Sequence, residues 1–338
     1  MPLIVVANLA LGKSWANLAT WLVGGIAAWG LAASSLIDLT GALLSSKVDQ
    51  ARFVIDAGSV VSGAAAGGFL FRPIRKDIAA FLPIDVDNPV HTLALVLAVI
   101  LFGTQLTSLL FTDTLAFLGA QKPQSLLDLF LDEVPLLVLA VTGVGLVVRR
   151  TLSASALRLG LIRPAWWQPV LALAAAGLFV ALLQGFDLAN HALLPSVARR
   201  VDAVDQHLFS ELAGANWWGL AAIALLPGIC EEVLFRGALQ PRIGLVPAAL
   251  LFTSIHSQYG LSLDLAGIFA VALSLGLIRK YTNTTTSMSA HVSYNLLAGI
   301  SLAGTVLYAA IALETVLLAV AGYAIWKSRR ATPSSRSA

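Results

Sequence analysis

Two adjacent glutamates and an arginine interrupt a stretch otherwise apolar enough to span a bilayer, Leu225–Gly237 (LLPGICEEVLFRG). Each charge at the centre of a membrane helix costs about 2.5–3.5 kcal/mol, so such groups face a partner or a wet cavity. Helical spacing assigns the partners. Glu232 and Arg236 stand at i and i+4, acid before base, the favourable order for an ion pair. Glu231 is rotated about 100° from that face. One carboxylate is then neutralised structurally while the other remains available; a purely structural helix-packing network is the competing reading. Phe252 and His256 (FTSIH) are also i, i+4, at the end of a short apolar segment where the phenyl ring can pack over the imidazole. His291 and Asn295 (HVSYN) share one face of a third apolar stretch. One hydrophobic half of the chain thus carries a carboxylate, two imidazoles, a carboxamide and an ion pair. Glu231, His256 and His291 would also serve as a His2Glu zinc set with an open water position. The HExxH spacing of soluble zinc proteases is absent from the sequence. The other histidines, His91, His191 and His207, fall near segment ends or in loops and read as interfacial.

The elements that must position these residues are membrane helices. Of 338 residues, 58% are hydrophobic and only 12% charged, and the mean hydropathy is +0.85. Soluble domains carry about a quarter charged residues, so too little polar surface is left here for a water-soluble globule. Apolar segments fall at Trp15–Leu44, Phe53–Phe71, Val90–Phe111, Val134–Val148, Trp166–Phe186, Trp217–Ile229, Leu245–Ile255, Leu263–Ile278, Thr286–Ile300 and Leu302–Trp326. They predict an all-α, polytopic transmembrane bundle of about 8–10 helices crossing or entering the membrane. Leu245–Ile255 is too short to span and is expected inside protein. The Gly- and Ala-rich stretches Ser59–Gly68 and Ala172–Gly177 predict close helix packing.

A net charge of +3 with a pI near 9.2 comes from loop lysines and arginines and suggests no nucleic-acid partner. Basic clusters at Arg72, Arg75 and Lys76, at Arg149–Arg163, at Arg279 and Lys280, and at Lys327–Arg330 fit ten crossings with both termini cytoplasmic. Arg199 and Arg200 oppose that pattern and are expected on an amphipathic interfacial stretch, Val197–Leu212. The single cysteine, Cys230, excludes an internal disulfide and a cysteine-based zinc site. The N-terminal MPLIVVANLALGKSW has no basic run before its apolar residues, so the first long span is expected to stay in the mature protein. Residues 1–148 form an N-terminal transmembrane region of unknown role, 149–326 hold the constellation, and 327–338 are expected as a basic, disordered tail.

In order, EExxxR, FxxxH and HxxxN, each on its own apolar helix, resemble the CPBP family of intramembrane proteases. That family includes the type II CAAX prenyl endopeptidases and the Abi-type bacteriocin-processing and immunity proteins. The matching positions are Glu231, Glu232, Arg236 and Gly237, then Phe252 and His256, then His291 and Asn295. The likeness extends over Leu159–Ser301, including the approach LGLIRPAWWQ, and leaves out the N-terminal half. The resemblance implies a membrane-embedded endopeptidase of the glutamate type without a resident cofactor, zinc on Glu231, His256 and His291 being the alternative. It implies Glu231 as general base, His256 as a second holder of the attacked water, and His291 with Asn295 as oxyanion donors. Glu232 with Arg236 would fix the base-bearing helix, Phe252 would support His256, and Gly228 and Gly237 would allow close approach. The expected partner is a membrane-associated protein or peptide substrate, a prenylated CAAX protein in eukaryotic relatives. The expected location is the lipid bilayer of a bacterial or archaeal inner membrane. Two other readings are a non-catalytic immunity or scaffold protein on the same fold, and a secondary transporter, whose inverted repeat the sequence lacks.

Overall fold

The computed structural model describes residues 2–45, 49–214, 217–300 and 304–331, and their regular structure is helical. The N-terminal region comprises α1 (Pro2–Ala10), α2 (Ala16–Leu44), α3 (Gln50–Gly68), α4 (Arg72–Ala79), α5 (Pro89–Phe111), α6 (Thr114–Gly119) and α7 (Leu126–Gly143). After it come α8 (Leu152–Leu159), α9 (Gln168–Leu193), α10 (Pro195–Gly214) and α11 (Trp217–Glu231). A π-helical segment, Glu232–Leu239, then leads through α12 (Gln240–Ile243) to α13 (Leu245–Ser254), α14 (Leu263–Tyr281), α15 (Thr284–Ala298) and α16 (Gly304–Ala331).

Among the described residues, by length and composition, five helical runs can cross a membrane: α2, α5, α9, Trp217–Ile243 and Tyr308–Lys327 within α16. A sixth arises if α3 and α4, bent by 82°, form one broken span. Large apolar side chains such as Leu18, Ile37 and Leu313 face outward, as lipid-facing helices require. The chain is a multi-pass helical membrane protein. α13 is the short apolar helix, and Ala248, Ala249, Leu251 and Phe252 on it are buried.

Local chemistry sets the boundaries. Asn88 caps α5 by accepting from Val90 and His91 N–H, with Pro89 at the first position, where a missing donor costs nothing. Ser125 and Asp128 form a capping box that starts α7 ahead of the expected Val134, so the acidic residues before that position are helical. Asn283 caps α15, and its Nδ2 donates to Gln168 Oε1 at 2.8 Å. Thr284 donates to Gly160 O through N–H and to Leu159 O through its hydroxyl, at 3.0 and 2.6 Å. The start of α15 is therefore tied to the turn between α8 and α9, where Gly160 adopts φ +74°.

Both small-residue stretches pack closely. A Cβ on Gly63 of α3 would lie 2.6 Å from Ala28 O of α2, and Ala172 and Ala175 of α9 are buried beside Ala290 of α15. Val197–Leu212 lies within α10, whose Val201 and Val204 pack on Leu115 of α6, while Arg200 pairs with Asp113. One hydrophobic cluster joins the two halves: Leu95 of α5 and Ala140 of α7 share it with Val233, Phe235 and Phe252. α16 continues to Ala331, into the stretch expected as a disordered tail; residues 332–338 lie outside the described residues.

Candidate active site

Glu231 ends α11, and the backbone then loosens into the π segment that carries Glu232 and Arg236. Such segments are uncommon and concentrate at functional sites. Two close approaches seat it. A Cβ on Gly228 would lie 2.6 Å from Val292 Cγ2 on α15, and one on Gly237 would lie 2.9 Å from Leu159 O. Both glycines thus allow the close approach expected of them.

Glu232 is fully buried and saturated with partners. Its Oε1 lies 3.1 Å from Arg236 Nη1 and 3.3 Å from His291 Nδ1, and its Oε2 accepts from the Ser287 hydroxyl. Arg236, 1% exposed, also donates through Nη2 to Ala272 O of α14 at 3.2 Å. Its guanidinium sits 4.2 Å above the Phe252 ring. This carboxylate thus ties the π segment to α15 through His291 and Ser287, and Arg236 ties the same segment to α14.

Glu231 is different. It is 4% exposed, and its Oε2 has no hydrogen-bond partner. The nearest basic side-chain nitrogen, His291 Nε2, is 4.0 Å away, beyond direct hydrogen-bond length. His291 therefore stands between the two glutamates, Nδ1 toward Glu232 and Nε2 toward Glu231.

His256 lies just past the end of α13, where its Nδ1 meets Phe252 O at 2.8 Å. A carbonyl only accepts, so Nδ1 carries the proton and Nε2 of the neutral ring offers a lone pair. The Phe252 ring packs 4.5 Å from the His256 ring and 5.9 Å from that of His291, so one phenyl links both imidazoles. Phe235 of the π segment meets Phe252 edge-on at 5.4 Å. Asn295 lies one turn beyond His291, and its Nδ2 donates to Ile223 O of α11 at 3.4 Å. Among the described residues it makes no hydrogen bond to Glu231 or His256.

Glu231, Glu232, Arg236, Phe252 and His291 thus meet directly, His256 joins them through Phe252, and Asn295 is turned toward the backbone of α11. Among the described residues, the donor atoms of Glu231, His256 and His291 are not all within 4.8 Å of one another. The trio that is gathered, Asp187, His191 and Asp202, lies where α9 meets α10. Two residues escaped the sequence reading. Ser287 is one helical turn before His291 (SMSAH), an i, i+4 signal that could have found it. Glu133 of α7 is buried with Oε2 unpartnered, and α7 packs on α11; a glutamate inside an apolar run was the signal there.

Residues 213–297 match a family model described as type II CAAX prenyl endopeptidase Rce1-like. A Bacillus subtilis (strain 168) protein described as "Uncharacterized protein YpbD" is 44% identical over 108 residues, which are 31% of this chain and 55% of that relative. The chain thus spans about half the length of the curated relative it matches. No solved structure matches. Every member of the cluster, from Glu231 to Asn295, falls inside the matched segment, and it is over this segment that the chain is similar to the Rce1-like, type II CAAX prenyl endopeptidases.

Proposed function

We propose that this protein is an intramembrane endopeptidase that hydrolyses a peptide bond in a membrane-associated protein or peptide. One observation carries the reading: of two adjacent buried glutamates, Glu232 has every partner it needs and Glu231 has a bare carboxylate oxygen. An unpaired buried carboxylate is costly to keep in a fold. Its retention beside an imidazole fits a group kept for proton transfer.

In this reading one water bridges Glu231 Oε2 and His291 Nε2, whose 4.0 Å separation is too long for a direct bond. His256 accepts that water's second hydrogen at Nε2. Glu231 takes a proton as the water oxygen attacks the scissile carbonyl carbon, and the carbonyl oxygen becomes an oxyanion. His291, donating to Glu232 through Nδ1, presents Nε2–H to that oxyanion when protonated, and Asn295 supplies a second donor from its amide. As the tetrahedral intermediate collapses, the C–N bond breaks and Glu231 returns its proton to the departing nitrogen. The products are a carboxylic acid and an amine, and the acid's proton, the second hydrogen of the water, passes to the amine to leave a carboxylate and an ammonium. Glu232, Arg236 and Ser287 hold the geometry without entering the chemistry.

The lysine and arginine clusters at Arg149–Arg163 and at Arg279 and Lys280 support placing those loops on the cytoplasmic side of a cell membrane. The test is comparative analysis of membrane proteins, with their new N-termini, in cells carrying the wild-type chain or Glu231→Ala. A precursor should accumulate, and its cleaved form disappear, only in the variant. Identical profiles would set the protease reading aside in favour of a scaffold.

A further inference from the structure

A cavity of about 390 Å³ separates the N-terminal bundle from the π segment. Leu93, Leu97 and Leu101 of α5 line one wall, and Leu234, Phe235 and Leu239 line the other. Its rim is cationic, with Arg149, Arg150, Arg158 and Arg242 beside a single carboxylate, the exposed Asp85. Among the described residues none of these four arginines has a carboxylate within 4.0 Å, although other surface arginines, such as Arg72 and Arg200, do.

Their known partners are neutral and few. Arg149 donates to Asn8 Oδ1 at 2.7 Å, Arg158 to Gly237 O at 3.3 Å, Arg242 to Pro83 O at 3.4 Å, and Arg150 to Val144 O. The Arg242 Nε is buried with no partner. A guanidinium offers five donors, so most of this set is unspent. Burial, followed by repulsion from Arg242, Arg150, Arg279 and Arg149, pushes Arg158 down to about 10. A cluster of like charges over an apolar wall lacks its counter-ion.

We propose that this cavity binds an anionic phospholipid, its phosphate held by Arg149, Arg158 and Arg242 and its acyl chain lying against the leucines of α5 and Leu239. Phosphate accepts paired hydrogen bonds from guanidinium forks, which a zwitterionic headgroup offers with no net negative charge. Basic pockets between membrane helices on the cytoplasmic side are suited to anionic lipid headgroups. The volume, within the roughly 300–1,000 Å³ of ordinary ligand pockets, accommodates a headgroup and the first stretch of a chain. The site also gives the N-terminal region a role. Arg158 bonds the carbonyl of Gly237, and Phe235 lines the cavity while touching Phe252, so an occupant braces the π segment that carries Glu232 and Arg236.

The site is tested by binding, independently of proteolysis. The purified full-length protein is presented with phosphatidylglycerol, phosphatidylcholine or inorganic phosphate, and retained lipid is counted by native mass spectrometry alongside the thermal melt. Phosphatidylglycerol should be retained about tenfold over phosphatidylcholine, as one lost charge-assisted bond corresponds to roughly that factor. It should also raise the melting temperature. Arg158→Gln/Arg242→Gln should abolish the preference. Ala94→Trp, which fills the cavity and leaves every arginine in place, should lose retention of both lipids; Arg242→Gln alone is the milder variant if either of these fails to fold. Equal retention of the two lipids by the wild type, or an unchanged preference in the arginine variants, overturns the proposal. Protection by inorganic phosphate equal to that by phosphatidylglycerol also overturns it, and assigns the arginines to a free anion.

Discussion

His291 places its Nδ1 3.3 Å from Glu232 Oε1 and thereby points its other nitrogen at Glu231, the preceding residue. One imidazole thus meets two consecutive carboxylates that have unlike surroundings. Adjacent residues on a regular helix diverge by about 100°, and here the backbone changes from α to π between the two.

Ser287 completes the cage around Glu232, and its hydroxyl oxygen also lies 3.1 Å from Leu275 O, a second acceptor toward which its one hydrogen can turn. Ser287→Ala removes a donor from a buried carboxylate, a loss of about 1–3 kcal/mol. The expected result is a melting temperature several degrees lower in detergent, read by differential scanning fluorimetry, with the cleaved product still formed in cells. An unchanged melt would mean that this hydroxyl contributes nothing to the cage.

Arg236 and Glu232 are mutually dependent. Arg236→Met leaves a buried carboxylate without its cation and should destabilise by about 3–5 kcal/mol. Glu232→Gln/Arg236→Met should be more stable than Arg236→Met alone, because the uncompensated charge is gone. Arg236→Lys is not expected to rescue, since one ammonium does not reproduce both the Ala272 O bond and the stacking on Phe252. Chemical-denaturant or thermal melts of these proteins, with Glu232→Gln alone closing the cycle, decide the sign of the coupling.

Gly228 sets the distance between α11 and α15. In Gly228→Ala the new Cβ would meet Val292 Cγ2 at 2.6 Å and the Val292 backbone nitrogen at 3.1 Å. Side-chain rotation alone does not relieve the backbone contact, so α15 must shift and carry His291 and Asn295 with it. We expect about 1–3 kcal/mol of destabilisation and a fall in cleavage larger than the loss of folded protein accounts for. Val292→Ala in the same chain should restore part of both.

Much of this arrangement was legible beforehand, for physical reasons. Charges inside apolar runs are expensive, so Glu231, Glu232 and Arg236 stood out, and i, i+4 spacing paired Glu232 with Arg236 and stacked Phe252 on His256. The short α13 followed from length alone. Harder to read was anything depending on backbone irregularity or tertiary contact. Side-chain pattern does not encode the π segment, and Ser287 among the other hydroxyls of Thr284–Ser289 looks like any helix surface until α15 meets Glu232. The expectation of Asn295 as an oxyanion donor beside His291 followed from their shared face and from the family resemblance; its tie to Ile223 O depends on where α11 passes. The N-terminal half offered no charged interruption comparable to Glu231–Arg236, and its packing against Phe235 and Phe252 emerges only in the assembled core.

The central claim is a division of labour between neighbours: Glu231 reacts and Glu232 holds. The most direct test compares Glu231→Gln with Glu232→Gln, scoring each for the precursor defined in Glu231→Ala cells and for its thermal melt. Glu231→Gln should keep or slightly raise the melting temperature while cleavage falls by about a thousandfold or more, as losing a proton-transfer group of this kind costs about 10²–10⁴. Glu232→Gln should lower the melt by several degrees and retain measurable cleavage where folded. Full cleavage by Glu231→Gln, or equal loss of cleavage without loss of stability in Glu232→Gln, would contradict the account.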